Sequence, residues 1–158
     1  MVRKKPLSDA DVALVQGLLE EVQPHQVFAA GDLSDPHGTH RTCLEAVLKA
    51  LGNLKASNAS WMADCRVWLY RGAWQEWGID EMDMAVPLSP QELVTKRHAI
   101  YKHQSQKDRP LFPGPDEREF WQRSEARNRE TAALFDRLGL PVGGPALPGL
   151  RVVALLFG

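Results

Sequence analysis

Apolar positions at Val12, Val15, Leu18, Leu19 and Val22 recur at helical spacing, and Pro24 stands just beyond them. They predict an amphipathic helix over 8–22, capped by Ser8 or Asp9. The unbroken run Val27-Phe28-Ala29-Ala30, stopped by Gly31, predicts a short buried parallel strand. The turn-rich 32–36 follows, and then a second helix over about 37–51, with Cys43, Leu44, Val47, Leu48 and Leu51 on its apolar side. Residues 53–63 read as a polar connection, 66–70 as a strand and 84–88 as another. Pro87 puts that last strand at a sheet edge or ends it early. Ser89 and Pro90 have the N-cap and first-position chemistry of a helix reaching about His103. After the Pro-rich 108–115, a long charged helix is predicted over 116–138, with Gly139 as its C-cap.

Helices alternating with strands imply an α/β layered domain whose sheet, with three strands, is incomplete. A length of 158 residues makes one domain the default. The last stretch, 141–158, is different in kind. Its prolines and glycines lead into the apolar 150–157, the pattern of a linker and one buried strand.

Composition narrows the function. Hydrophobic residues at 44% and charged residues at 25% are ordinary for a folded domain and exclude wholesale disorder. Nineteen basic residues against 20 acidic leave a net charge of −1, which gives no overall pull toward nucleic acid or an anionic membrane. No apolar run reaches the ~20 residues that cross a bilayer, and the basic N-terminus lacks the apolar segment of a signal peptide. Cys43 and Cys65 read as reduced, packed thiols of a cytoplasmic protein, with a disulfide or a metal role as the alternative. Trp61, Trp68, Trp74 and Trp77 cluster as core, as an interface or as a surface for stacking on a sugar.

The chemistry concentrates in 31–41, directly after a predicted strand and at the start of a helix, where open α/β sheets bind ligands. His37 and His40, three apart, face one side of a helix start, and Asp32 and Asp35 are close in sequence. Two imidazoles with nearby carboxylates suit metal ligation, or a general acid beside a metal ligand. The same histidines could instead make only local hydrogen bonds at a helix start. A catalytic zinc needs about three protein ligands, and this segment offers two imidazoles.

The string Asp35-Pro36-His37-Gly38-Thr39-His40 resembles the second motif of the LmbE/PIG-L family of zinc-dependent N-acetylglucosaminyl deacetylases. Lys96-Arg97-His98-Ala99-Ile100-Tyr101-Lys102-His103-Gln104-Ser105-Gln106 is similar to that family's lysine-to-HxSQ helix. The strings at 68–77 and 118–121 resemble the bacterial branch in which a glucosamine-6-phosphate deaminase domain precedes the deacetylase-like one. The resemblance implies a partial Rossmann-like LmbE-type fold with an incomplete parallel sheet over 1–141. It implies zinc as cofactor, His40 as a metal ligand and His37, with Asp35, as catalytic. Asp32 and His103 would support them from behind. Thr39 stands where many members carry Asp. The family's His-Pro-Asp-Asp motif does not occur in this sequence, so the chain resembles the C-terminal half of such a domain. The stretch 142–158 departs from the family and is hypothesised to be out of frame.

Arg71, at a strand end, is a candidate for holding a phosphate or carboxylate, with an ordinary ion pair as the alternative. Trp74 is a candidate for stacking on a sugar, with packing as the alternative. On the predicted last helix, the pairs Glu119–Arg123 and Glu125–Arg129 read as a solvated face of mixed sign.

Three functions follow. The first is a fragment of a zinc amidohydrolase that deacetylates amino sugars, inactive alone. The second is an accessory domain of a glucosamine-6-phosphate deaminase fusion, binding an amino-sugar phosphate while an upstream domain deaminates. The third is a degenerate structural domain serving assembly, including a homo-oligomer.

Overall fold

The computed structural model describes residues 5–31, 38–71, 76–104 and 117–140, and the backbone of 152–157. The fold is mixed helix and strand, and the chain divides into two compact units, 1–75 with 157–158, and 76–156. Each has its own buried apolar cluster.

The first unit begins with α1, Asp9–Val22. Ser8 caps it: its Oγ accepts from the Asp11 N–H, and the Asp11 carboxylate accepts from the Ser8 N–H at 2.9 Å. That hydrogen bonding to Ser8 holds the Asp11 carboxyl below its ordinary range. Strand β1, Gln26–Ala30, pairs in parallel with β2, Arg66–Tyr70, from Gln26 opposite Arg66 to Ala30 opposite Tyr70. Between them runs α2, Thr39–Ala56.

Helix α2 starts two residues later than its sequence predicts and continues past Leu51 through part of the expected polar connection. The reason is Leu54, which extends the apolar row of Ala50 and Leu51 and is 1% exposed. Burying a leucine contributes about 1.5–3 kcal/mol, which outweighs the cost of about 1 kcal/mol for Gly52 inside a helix. A 3-10 turn, Ser60–Asp64, completes the link to β2. The core of this unit is Val12, Leu19, Ala50, Leu51 and Leu54, with Val27, Val67, Trp61 and Met62 packed against it. Leu18 and Val22, predicted to face inward, are exposed, whereas Val12 and Leu19 of the same helix are buried. Cys43 is also exposed and Cys65 half-buried; both are free thiols, and burial raises the Cys65 pKa.

In the second unit, a 3-10 turn, Ile79–Glu81, leads into β3, Met84–Leu88. Helix α3, Pro90–Tyr101, starts as predicted, with Ser89 and Glu92 in a reciprocal cap (2.7 and 3.2 Å). It stops two residues before His103. Helix α4, Phe120–Arg137, begins after Glu119, whose N–H donates to the Gln122 side chain at 2.8 Å. Gly139 follows α4 at φ 65, the left-handed conformation that glycine adopts without strain, as its predicted capping role requires. Strand β4, Val152–Phe157, falls within the apolar end of the chain. It pairs with β3 antiparallel, Met84 opposite Leu156, so the strands do not form the all-parallel set the sequence suggested. β3 has β4 as its one neighbour among the described residues, consistent with an edge place for Pro87. Ala132 and Phe135 of α4 form this unit's buried cluster with Ile79, Met82 and Ala85. No helix among the described residues is long and apolar enough to cross a membrane.

Candidate functional site

The β1–α2–β2 arrangement fixes one end of the first unit. The Gly31 N–H donates to the Tyr70 carbonyl at 2.7 Å, so the chain leaves β1 and β2 side by side. Arg71 comes directly after β2, and His40 sits in the first turn of α2. Arg71 is therefore at the C-terminal end of the parallel pair, where such sheets bind ligands, and His40 opens the helix that follows β1. His40 is half-buried, with its Nδ1 shielded from solvent.

Gly38 makes this helix start possible. It is the N-cap at φ 64, and a Cβ there would meet nothing within 4 Å, so backbone strain rather than space selects glycine. Being glycine, it offers no side chain to the first turn, unlike Ser8 and Ser89 at α1 and α3. Thr42 closes the first turn instead, its N–H and Oγ both donating to the Gly38 carbonyl at 3.1 and 2.9 Å. The first turn of α2 contains no acidic residue.

Asp32, Asp35, His37 and Trp74 lie outside the described residues. His103 is exposed in the turn after α3. Among the described residues no group of three His, Cys, Asp or Glu side chains is placed to hold a metal. His40, the predicted metal ligand, is described, whereas the predicted catalytic pair Asp35 and His37 is not.

A second cluster joins α3 to α4, and the sequence pattern misassigns it. Glu125, predicted on a solvated face, is buried at 5% exposure. Its two carboxylate oxygens accept from Arg97 Nε and Nη2 at 2.7 and 2.9 Å, a two-pronged pair. Arg129, its i+4 neighbour, is farther away at 3.4 Å. Arg97 also lies over the Trp121 ring, 4.2 Å from its centre, and Tyr101 meets that ring edge-on. The Trp121 indole N–H donates to Glu119. Lys96 Nζ donates to Asn128 Oδ1 at 2.5 Å. Burial lowers the Lys96 pKa, against the opposing pull of the Glu76 and Glu125 carboxylates. One signal in the sequence was available: Glu125, Asn128, Thr131, Ala132 and Phe135 follow helical spacing, so the buried stripe of α4 is partly polar.

No family profile matches the chain. A curated protein of Bacteroides thetaiotaomicron, named as a glucosamine-6-phosphate deaminase-like protein, is 58% identical over 139 residues. The match takes in 88% of this chain and 21% of the relative, so the chain spans about a fifth of the relative's length. Wherever a stretch of that length begins, it includes residues 20–139, and with them both clusters described above.

Proposed function

We propose that the chain is an accessory segment of a longer protein of amino-sugar metabolism, binding an amino-sugar phosphate while deamination takes place elsewhere in that protein. The observation that carries this is the 58% identity to a relative named for glucosamine-6-phosphate deaminase, of which the chain spans 21%. The end of the β1–β2 pair is the binding surface: Arg71 and the first turn of α2 take the phosphate, and His40 takes a sugar hydroxyl or the phosphate. No lysine- or glycine-rich phosphate cradle occurs in the sequence, so the deaminating step is assigned to other parts of the longer protein.

Titration of the chain with glucosamine 6-phosphate, followed by amide NMR, tests this. Shifts at residues 38–42 and 70–71, weakened by Arg71→Ala, with no ammonia released, are expected. Ammonia release by the chain alone, or no shift at millimolar ligand, overturns it.

A second proposal is the zinc-dependent deacetylase of LmbE/PIG-L type with its Rossmann-like fold. It is supported by the Asp35–His40 string and by the position of His40 in the first turn of the helix that follows a parallel strand. His40 would be a zinc ligand there. Zinc content and acetate release from N-acetylglucosamine by the full-length relative test it.

A further inference from the structure

Side-chain alternation divides the β1–β2 pair into two unlike faces. Val27 and Val67, opposite each other in the register, pack against the apolar core contributed by α1 and α2. The other face carries three rows: Gln26 beside Arg66, Phe28 beside Trp68, and Ala30 beside Tyr70. Its aromatic residues gather toward the C-terminal end of the strands, and it contains no carboxylate. Phe28 and Tyr70 are 49% and 40% exposed. Ala30 brings only a methyl group to the last row, so β1 leaves the space beside Tyr70 open. The Gly31 N–H, bonded to the Tyr70 carbonyl at 2.7 Å, holds that row in register. In the middle row, the Trp68 indole N–H is shielded from solvent and has no hydrogen-bond acceptor among the described residues. Buried donors in folded proteins are nearly always paired, so this one calls for an acceptor.

We infer that this aromatic face seats the sugar ring of a hexosamine phosphate. The ring lies over Ala30, with its C–H face against Phe28 and Tyr70, and one of its hydroxyl oxygens accepts from the Trp68 indole N–H. This rests on the reading of Arg71 as the phosphate-binding residue at the strand end. Arg71 follows Tyr70 directly, so ring and phosphate are met by neighbouring residues. A sugar ring matches both features of the face, since it has an apolar side for the aromatic row and oxygens for the indole donor. A helix packed here would match the aromatic row alone, because its backbone acceptors are used within the helix.

Titrations followed by two NMR signals test this: the Trp68 indole N–H, assigned by its loss in Trp68→Phe, and the Phe28 amide. The probes are glucosamine 6-phosphate, glucosamine and inorganic phosphate. Both sugars are expected to shift both signals, glucosamine at higher concentration, and inorganic phosphate to leave them in place. Tyr70→Leu, which keeps an apolar side chain in the strand, should weaken glucosamine 6-phosphate binding about fivefold or more and leave the affinity for inorganic phosphate unchanged. No shift of the indole signal with either sugar overturns the inference, even where residues 38–42 and 71 respond to phosphate as the proposed function requires. Equal loss of affinity for the sugar phosphate and for inorganic phosphate in Tyr70→Leu also overturns it, because that is the mark of a structural role. Shifts of the same signals on raising the protein concentration without ligand overturn it as well and assign the face to a second copy. The proposed function is read at residues 38–42 and 71 and the aromatic face at Trp68 and Phe28, so the two fail distinguishably.

Discussion

The Arg97–Glu125 pair makes a quantitative prediction, because its two ends differ in exposure. The Glu125 side chain is 7% exposed and the Arg97 side chain 30%. Removing one partner of a fully buried pair costs about 3–5 kcal/mol. In Glu125→Ala, the stranded guanidinium regains some water and keeps the Trp121 ring, so the cost falls to about 2 kcal/mol. In Arg97→Ala, the stranded carboxylate is the more buried group and retains Arg129 at 3.4 Å and the attraction of Lys96. The ring contact goes as well, so about 3 kcal/mol is expected. A double-mutant cycle should give a coupling of about 2 kcal/mol, little changed by salt, whereas exposed pairs give about 0.2–1 kcal/mol. The assay is urea unfolding followed by tryptophan emission, because Trp121 sits on the pair, with circular dichroism to separate transitions of the two units. A coupling below about 0.5 kcal/mol that disappears in high salt would refute the buried-pair reasoning.

Other outcomes follow from the same physics. Leu54→Ala should cost about 2–5 kcal/mol in thermal or urea unfolding, whereas Leu48→Ala, at a half-exposed position, should stay within about 0.5 kcal/mol. Ser89→Ala should cost about 1 kcal/mol through loss of the α3 cap, read by helical ellipticity and melting temperature. Lys96 has a lowered pKa when folded, so the full cost of its buried charge is present below that value. Above it the unfolded state binds more protons, so stability relative to Lys96→Met should rise with pH until the ordinary lysine value of about 10.4. A flat difference between the two proteins across alkaline pH would contradict this. For Asp11 the sign is opposite: the folded pKa is lowered, so its contribution is present above the ordinary carboxyl range and is lost as pH falls through the folded value. Ser8→Ala should flatten that acid limb.

The elements most legible in the sequence were those specified locally. Ser8 and Ser89-Pro90 mark their helix starts because a cap needs only the following three residues. Residues 66–70 and 84–88 are strands where their apolar patterns placed them. What the sequence could not decide depends on distant partners. Glu125 and Arg129 have the spacing of a solvated pair, yet Arg97, 28 residues earlier, takes the carboxylate. Asn53 looked like the start of a loop, and the burial of Leu54 against α1 and the sheet extended the helix through it. The strand at 152–157 follows from its apolar run, but its antiparallel pairing with β3 does not. At the candidate site, the position of Arg71 just after β2 and of His40 at the start of α2 was legible from the strand–loop–helix order. Asp32, Asp35, His37 and Trp74 fall outside the described residues.

The most direct test of the central proposal is ammonia release from glucosamine 6-phosphate by the full-length Bacteroides relative and by the same protein lacking the matched stretch, with folding of both checked by circular dichroism. The predicted result is that the shortened protein still releases ammonia at saturating substrate and requires more substrate to reach half-maximal rate. A folded shortened protein with no ammonia release at any substrate concentration would place deamination within this segment and contradict the proposal.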